Sequence, residues 1–514
     1  MATDGYKTSH LPMYPSGTIT VSSNFTPRSG NHSNVSDKSG IISFGQQMVM
    51  RQIVEMFDKD FFGRDRNAVL EEIKSEYSMY LGFDYDVSHI GDLHKLGYLP
   101  IHVKTLPEGS FVPYGVPVLT IVNTNHKFFW LTNFLETLIS TMMWMPMTSA
   151  TTAYEYKKIL LRNAKVTDES NIGGVDFQGH NFSMRGMAGV DAAIYAGLGH
   201  ATSFLGDDSL PTIVAARRYY DETGAVVHSV PATEHSVMCA GSKDDELGTF
   251  RNLMKTFPTG ILSIVSDTWD LWNVCTEMLP KLKEEILARE GKIVIRPDSG
   301  DPVDIICGLQ TPMSEYGLRD AKYKGVIELL WDVFGGTTNE QGFKVLDPHI
   351  GCIYGDSITP IRATQICERL KAKGFATTNI VLGIGSYTYQ MVTRDTHGFA
   401  MKATYIEILN KNCDTSECEL NCKKECWNDG CLLDNGIVEG REIFKDPVTD
   451  DGTKKSAKGM LSVHRSVIKG EPIYLKDQCT WKEEGEGLLQ TIFKNGDFFN
   501  ETTLSEIRTR INNI

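Results

Sequence analysis

From about residue 258 the chain repeats one pattern, in which an apolar, β-rich run ends in a short polar turn and an amphipathic helix follows. Strands joined in series by helical crossovers lie parallel, so the pattern points away from a helical bundle or a β-sandwich and towards an α/β architecture. The first unit, residues 260–265, closes on Ser266-Asp267; Trp269, Trp272, Cys275 and Leu279 then recur at helical spacing until Pro280 breaks or restarts the helix. The second, residues 292–296, closes on Pro297-Asp298-Ser299-Gly300, with a shorter apolar segment at 303–309. The third, residues 350–354, enters Gly355-Asp356-Ser357; Thr359 then caps a helix with Pro360 at its first position and Gly374 past its end. The fourth, residues 379–382, enters Gly383-Ile384-Gly385-Ser386, and residues 399–409 alternate as a further strand. Such units form part of a barrel.

A barrel takes roughly 250 residues, so a chain of 514 residues carries at least one more domain. The formal charge of −14 excludes nucleic acid as the main partner, because backbone binding needs a surplus of Lys and Arg. An anionic ligand would need a local cationic pocket. The longest apolar run, 130–145, contains Asn133 and Glu136 and stops at Pro146, short of the ~20 residues that span a membrane. It reads as a buried helix ending at that proline. No basic-then-apolar leader opens the chain, which reads as cytoplasmic with its eleven cysteines as thiols. Five of them, Cys413, Cys418, Cys422, Cys426 and Cys431, crowd one polar stretch without a CxxC pair. A zinc or iron–sulfur site and a solvated insertion loop both remain open there, and no metal ligands are assigned.

In parallel α/β folds the residues just past the C-terminal ends of the strands converge on the active site. A single Asp there is commonly only a helix cap. Asp267, Asp298 and Asp356 in successive units, with Arg296 beside one and Gly385-Ser386 ending the fourth, point instead to a ligand carrying phosphate and magnesium. Backbone N–H groups at Gly385 and Ser386 suit a phosphate, and the carboxylates suit a hydrated cation or ribose hydroxyls. His235 lies in Ser229-Val230-Pro231-Ala232-Thr233-Glu234-His235-Ser236, where it reads either as a satisfied loop histidine or as an acid/base or nucleophilic group. The second role needs a partner to orient the ring, and Asp267 and Asp270 are candidates, spaced as on the first turn of one helix. If residues 180–186 are helical, Phe182 and Arg185 share one face and together could stack on a flat ring and neutralise a phosphate.

These motifs, together with Ala2-Thr3-Asp4-Gly5-Tyr6-Lys7, Trp130-Leu131-Thr132-Asn133, Thr393-Arg394-Asp395 and Phe444-Lys445-Asp446-Pro447, occur in an order that resembles the nicotinamide phosphoribosyltransferases over nearly the whole chain. The resemblance implies the type II phosphoribosyltransferase fold: an irregular α/β barrel at 150–395, and a smaller discontinuous α+β domain from 1–149 and 396–514 that carries the Cys-rich insertion at 410–436. It implies a first step of NAD salvage, in which nicotinamide and phosphoribosyl pyrophosphate (PRPP) give nicotinamide mononucleotide and pyrophosphate. At matching positions Phe182 and Tyr6 resemble the aromatics on either side of the nicotinamide ring, Tyr6 coming from the second subunit of a homodimer. Asp208 matches the carboxylate that accepts from the substrate amide. Arg296 and Arg185 resemble ribose- and phosphate-contacting residues, with Ser266 and Gly355 beside them; Asp298 and Asp356 resemble ribose-hydroxyl partners. Arg28, Arg394, Lys402 and Lys445 resemble the cations that meet pyrophosphate or ATP phosphates. His235 matches the histidine that ATP phosphorylates, with Glu234 and Asp270 near it; ATP is then a co-substrate and Mg²⁺ enters on substrate phosphates. The phosphate loop departs from the family in having fewer glycines, with Tyr387 after Ser386. Two alternatives stay open: nicotinate phosphoribosyltransferase, and a noncatalytic nucleotide-binding protein of the same fold.

Overall fold

The computed structural model describes residues 2–310, 320–355, 357–410, 437–449, 457–466 and 472–514. Asp356 and the cysteines from Cys413 to Cys431 lie outside the described residues. The chain divides into two compact units: Met1–Ser33, Lys38–Thr148 and Thr393–Ile514 form the first, and Asn34–Asp37 and Ser149–Val392 the second.

The second unit is built on six parallel strands in the spatial order Gly206–Asp207, Gly179–Asn181, Ile380–Ile384, Ile350–Tyr354, Glu290–Arg296 and Thr259–Val265. The four longer strands carry apolar runs that helices cover, and Ile264, Ile293, Ile295, Ile350, Ile380 and Leu382 are buried in one cluster with helix residues such as Leu282, Leu330 and Ile366. The two edges are not left open. His228 bridges Gly206 at one edge and Ala232 bridges Ser263 at the other, so a single irregular segment closes the sheet into an irregular α/β barrel. Closure holds on few bonds, chiefly His228 N–H to the Leu205 carbonyl at 2.7 Å and Ser263 N–H to the Pro231 carbonyl at 2.9 Å. Pro231 has no N–H of its own to extend the ladder.

The repeating units fold as their sequences direct. Thr359 Oγ1 accepts from Arg362 N–H at 3.2 Å to start the Pro360–Ala372 helix, and Gly374 follows its end at φ +77°. Pro280 restarts a helix: a π-turn at Val274–Met278 precedes the Leu279–Leu287 helix, placing the ring where no N–H is needed.

The first unit centres on an antiparallel sheet of seven strands, in the order Ile437–Glu442, Ala400–Asn410, Thr18–Thr26, Leu119–Asn123, Ile101–Thr105, Gln490–Lys494 and Asp497–Phe498. The strand read at 399–409 therefore belongs here and not to the barrel, with Lys402 opposite Asn24. One expectation fails: the Leu131–Thr167 helix runs through Pro146. An interior proline costs about 3 kcal/mol; burial of Met143, Met145 and Met147 around it offsets that loss. Gly45, at φ +94°, lets the ring sit against its backbone, where a Cβ would come within 2.7 Å of the proline. No helix among the described residues is long and apolar enough to cross a membrane.

Candidate active site

The C-terminal ends of the parallel strands carry the charged and aromatic groups. Phe182 follows the Gly179–Asn181 strand, held by its N–H donating to the Ile384 carbonyl at 3.0 Å. Its ring occupies space that a side chain at Gly383 would fill, since a Cβ there would lie 2.6 Å from Phe182 Cδ2. The guanidinium carbon of Arg296 sits 4.6 Å from the ring centroid, and the His180 ring packs 4.7 Å from it. Only Met184–Gly186 is helical, as a 3-10 turn, so Phe182 and Arg185 do not share a helical face as the spacing suggested. Asn181 prevents that helix by turning the chain instead, its Oδ1 accepting from Ser183 N–H at 3.0 Å.

Asp208 follows the shortest strand and receives two hydrogen bonds on one oxygen. His180 Nε2–H donates to Oδ1 at 2.9 Å, and the Ser229 hydroxyl donates to the same atom. Burial pushes the Asp208 carboxyl up, but the His180 hydrogen bond and charge, the Ser229 hydroxyl and the Arg296 charge outweigh it, and the pKa lies below its ordinary value. The carboxylate is therefore ionised at neutral pH. Its neighbour Asp207 is the opposite case. Burial raises that carboxyl to about 6 despite hydrogen bonds from Ser209, Asn181 and Thr212.

His235 opens the short His235–Ala240 helix, with Nε2 3.8 Å from Asp298 Oδ2 and 3.9 Å from Asp267 Oδ1 and with Nδ1 3.3 Å from Thr268 Oγ1. Asp267 is the organiser of this corner. Its Oδ2 accepts from the N–H groups of Asp298 at 2.8 Å and Ser299 at 2.7 Å, which fixes the turn after the Glu290–Arg296 strand. Its Oδ1 is buried without a hydrogen bond among the described residues. Asp267 lies in a loop and not on a helix, and Asp270 is spent as an N-cap, accepting from Trp272 and Asn273 N–H at 3.0 and 3.1 Å. The Glu234 carboxylate accepts from the Ser236 hydroxyl. Neither Glu234 nor Asp270 contacts the His235 ring through any hydrogen bond described, whereas Asp267 and Asp298 flank it. Ser266 is fully buried, its N–H on the Arg296 carbonyl and its hydroxyl on Ile264, so it ties strand ends together.

Gly355 lies flush against this group: a Cβ there would meet Asp298 Oδ1 at 2.6 Å and Arg296 Nε at 3.0 Å. Gly385 precedes a one-turn Ser386–Tyr389 helix and nothing stands within 4 Å of where its Cβ would be, which leaves room beside the loop. The turn bearing the exposed Arg185 adjoins it, since a Cβ on Gly186 would overlap Ser386 Oγ. Tyr387 is exposed at the start of that helix.

The remaining positions belong to the first unit. Tyr6 stands 60% exposed on the Gly5–Ser9 3-10 turn, beside the ion pair of buried Lys7 with half-buried Glu136 at 2.6 Å. Burial and the charges of Arg28 and Lys445 lower the Lys402 pKa, so these three form one cationic cluster in a chain of net charge −14. Arg28 is oriented by its Nε–H on the Gly398 carbonyl at 2.7 Å, and Arg394 pairs with Asp395 at 3.3 Å.

His180, Ser229 and Thr268 also stand at the site, and no sequence signal marks them as site residues. The shared partner of the first two, Asp208, is distant in sequence from both. The strands that bring them together are three and two residues long, too short for a periodic signal.

Residues 177–421 match the model of the nicotinate phosphoribosyltransferase (NAPRTase) family. A nicotinamide phosphoribosyltransferase of Acinetobacter baylyi is 47% identical over 99% of this chain and 96% of its own length. One from Xanthomonas campestris pv. campestris is 31% identical over 98% of this chain and 96% of its own. Among solved structures, human nicotinic acid phosphoribosyltransferase aligns with a TM-score of 0.53 at 14% identity, over 100% of this chain and 93% of that one. The nicotinate-nucleotide pyrophosphorylase of Pyrococcus furiosus aligns with a TM-score of 0.52 at 12% identity, over 100% and 94%. At such identities these two structures speak to the fold alone.

Proposed function

The chain belongs to the nicotinamide phosphoribosyltransferase family, and from that membership we propose that it transfers the phosphoribosyl group of PRPP to the ring nitrogen of nicotinamide, releasing pyrophosphate. The observation that carries the choice of substrate is Asp208. It is ionised, its Oδ1 holds two donors, and its Oδ2 accepts no hydrogen bond among the described residues. An acceptor of that kind suits the N–H of a carboxamide and repels the carboxylate of nicotinic acid. Nicotinate phosphoribosyltransferase, the name carried by the matching family model, is the second reading, and Asp208 disfavours it.

As the C1–pyrophosphate bond lengthens, the ribose gains oxocarbenium character, so the protein has to hold the ring nitrogen in line with C1 and stabilise the departing charge. Phe182 provides a face for the pyridine ring and Arg296 a positive charge beside it. Asp298 and Asp356 accept from ribose hydroxyls, with the Gly355 backbone leaving room for the Asp298 carboxylate. Gly385, Ser386 and Arg185 take a phosphate, and Arg28, Arg394, Lys402 and Lys445 supply the charge that pyrophosphate or ATP phosphates need. Magnesium bound to the substrate phosphates would supply positive charge to the leaving diphosphate. Asp298 and Asp267, whose Oδ1 is buried without a hydrogen bond among the described residues, would suit the hydration shell of a cation carried in on substrate phosphates. His235, which lies between Asp267, Asp298 and Thr268, is the residue that ATP phosphorylates in this reading. The exposed Tyr6 closes over the pyridine ring of a second subunit in a homodimer.

Purified protein with PRPP, Mg²⁺ and either nicotinamide or nicotinic acid, with and without ATP, tests the reading through mononucleotide and pyrophosphate. Nicotinamide mononucleotide with equimolar pyrophosphate, and none from nicotinic acid, is expected. Product from nicotinic acid alone would transfer the chain to the second reading.

A further inference from the structure

His180 has no part in the chemistry above, yet the structure places it at the hinge of substrate choice. Its Nε2 lies 2.9 Å from Asp208 Oδ1, and a carboxylate oxygen only accepts, so Nε2 carries the proton and donates. The ring cannot swing away freely. Its far nitrogen, Nδ1, lies against Gly206, where a Cβ would come within 2.6 Å, and its ring packs on Phe182 at a 40° tilt, 4.7 Å between centroids. Gly206 is fixed in turn by a second, buried histidine. His200 Nε2–H donates to the Gly206 carbonyl at 3.0 Å, which makes His200 Nδ1 the acceptor of the Tyr389 hydroxyl at 2.7 Å.

We propose that His180 is a positioning residue that sets the enzyme's choice of amide over acid: by donating to Oδ1 alongside Ser229, it turns Asp208 so that Oδ2 alone faces the substrate as an ionised acceptor. The inference rests on the nicotinamide reading and deepens it. The groups that face Asp208 are few: His180 from the Gly179–Asn181 strand, Ser229 from the segment that closes the barrel, Arg296 from the Glu290–Arg296 strand, and Asp207 next in sequence. Of these, His180 contributes both a hydrogen bond and a charge effect, whereas Ser229 is exposed and Arg296 acts only through its charge. Removing the His180 donor leaves Oδ1 with one hydroxyl, frees the carboxylate to rotate, and makes it easier to protonate.

His180→Leu keeps the volume beside Phe182 and removes the donor; His180→Gln restores an N–H donor at similar reach. For His180→Leu we expect KM for nicotinamide to rise about 10-fold or more, the loss of one hydrogen bond to a charged group, with kcat within about 3-fold and KM for PRPP unchanged. The preference for nicotinamide over nicotinic acid in kcat/KM should shrink by about tenfold, and the acid limb of the nicotinamide profile should move up by about one pH unit. His180→Gln should recover most of each change. A purely packing role would be restored by Leu and not by Gln, so unchanged KM and selectivity in His180→Leu would overturn the proposal. The Asp208 carboxyl titration, followed by ¹³C NMR without turnover, separates the two claims: it should shift upward in His180→Leu even if the wild type failed to use nicotinamide, and an unmoved titration would sink the role of His180 alone.

Discussion

The two ends of the same parallel strands treat polar groups in opposite ways. At the N-terminal end, Arg289 spends its donors on backbone carbonyls, reaching Phe257 at 2.6 Å, Thr259 at 2.8 Å and also Gly260. Asn379 likewise accepts from Leu346 N–H at 2.9 Å and donates to the Lys344 carbonyl at 2.8 Å. At the C-terminal end, Asp267 Oδ1 and Arg296 Nε are buried without hydrogen bonds among the described residues, and Asp208 keeps Oδ2 open. A buried polar atom left without a partner costs roughly 1–3 kcal/mol. The fold tolerates that cost at one end because a ligand can satisfy those atoms, and the other end supplies the stability.

Substitutions should separate the two ends. Asp298→Ala should lower kcat/KM with nicotinamide by about 10²–10³ while leaving the melting temperature within about 2 °C of wild type; a large loss of stability with little loss of rate would break the contrast. Arg289→Ala should do the reverse. Three carbonyls lose a charged donor, for about 3 kcal/mol and a melting temperature lower by about 6–10 °C, with kcat at 25 °C unchanged in calorimetry-matched samples.

Asp207 sharpens the comparison through pH. Its carboxyl is raised to about 6 by burial, so between about pH 4 and 6 the native state binds more protons than the unfolded chain, and stability falls as pH rises through that window by about 2–3 kcal/mol. Asp207→Asn should flatten that slope in denaturant titrations, and an unchanged slope would show that another group carries it. The smallest effect belongs to Gly374, at φ +77°, whose carbonyl receives Lys344 N–H at 2.8 Å. With open space around it, Gly374→Ala should cost about 1 kcal/mol through strain alone, with no change in rate.

The parts of this molecule that were legible in the sequence are those whose signals are local. The strands at Thr259–Val265, Glu290–Arg296, Ile350–Tyr354 and Ile380–Ile384 announce themselves by apolar runs, and the Pro360–Ala372 helix by its cap, proline and glycine. Asp267 and Asp298 were visible as strand-end acids, and the structure does bring them together around His235. What failed depends on distant partners. Pro146 reads as a stop because the loss of an N–H is local, whereas Gly45, about a hundred residues away in sequence, is what accommodates its ring. Asp270 has the right spacing for a catalytic partner, but its own helix start claims it. His180 and Asp208 meet only because strands of three and two residues lie side by side, and no periodicity marks strands so short.

Under the proposed function, an ionised Asp208 with Oδ2 open, past the C-terminal end of its strand, reads the substrate amide. Asp208→Asn keeps the shape and hydrogen-bonding reach while removing the charge, so kcat/KM should be measured for nicotinamide and nicotinic acid side by side in this variant and in wild type. The nicotinamide-to-nicotinate ratio should fall by at least about tenfold, as repulsion of the acid is relieved and an amide N–H takes the place of the open acceptor; a ratio unchanged from wild type would overturn the amide-reading role of Asp208.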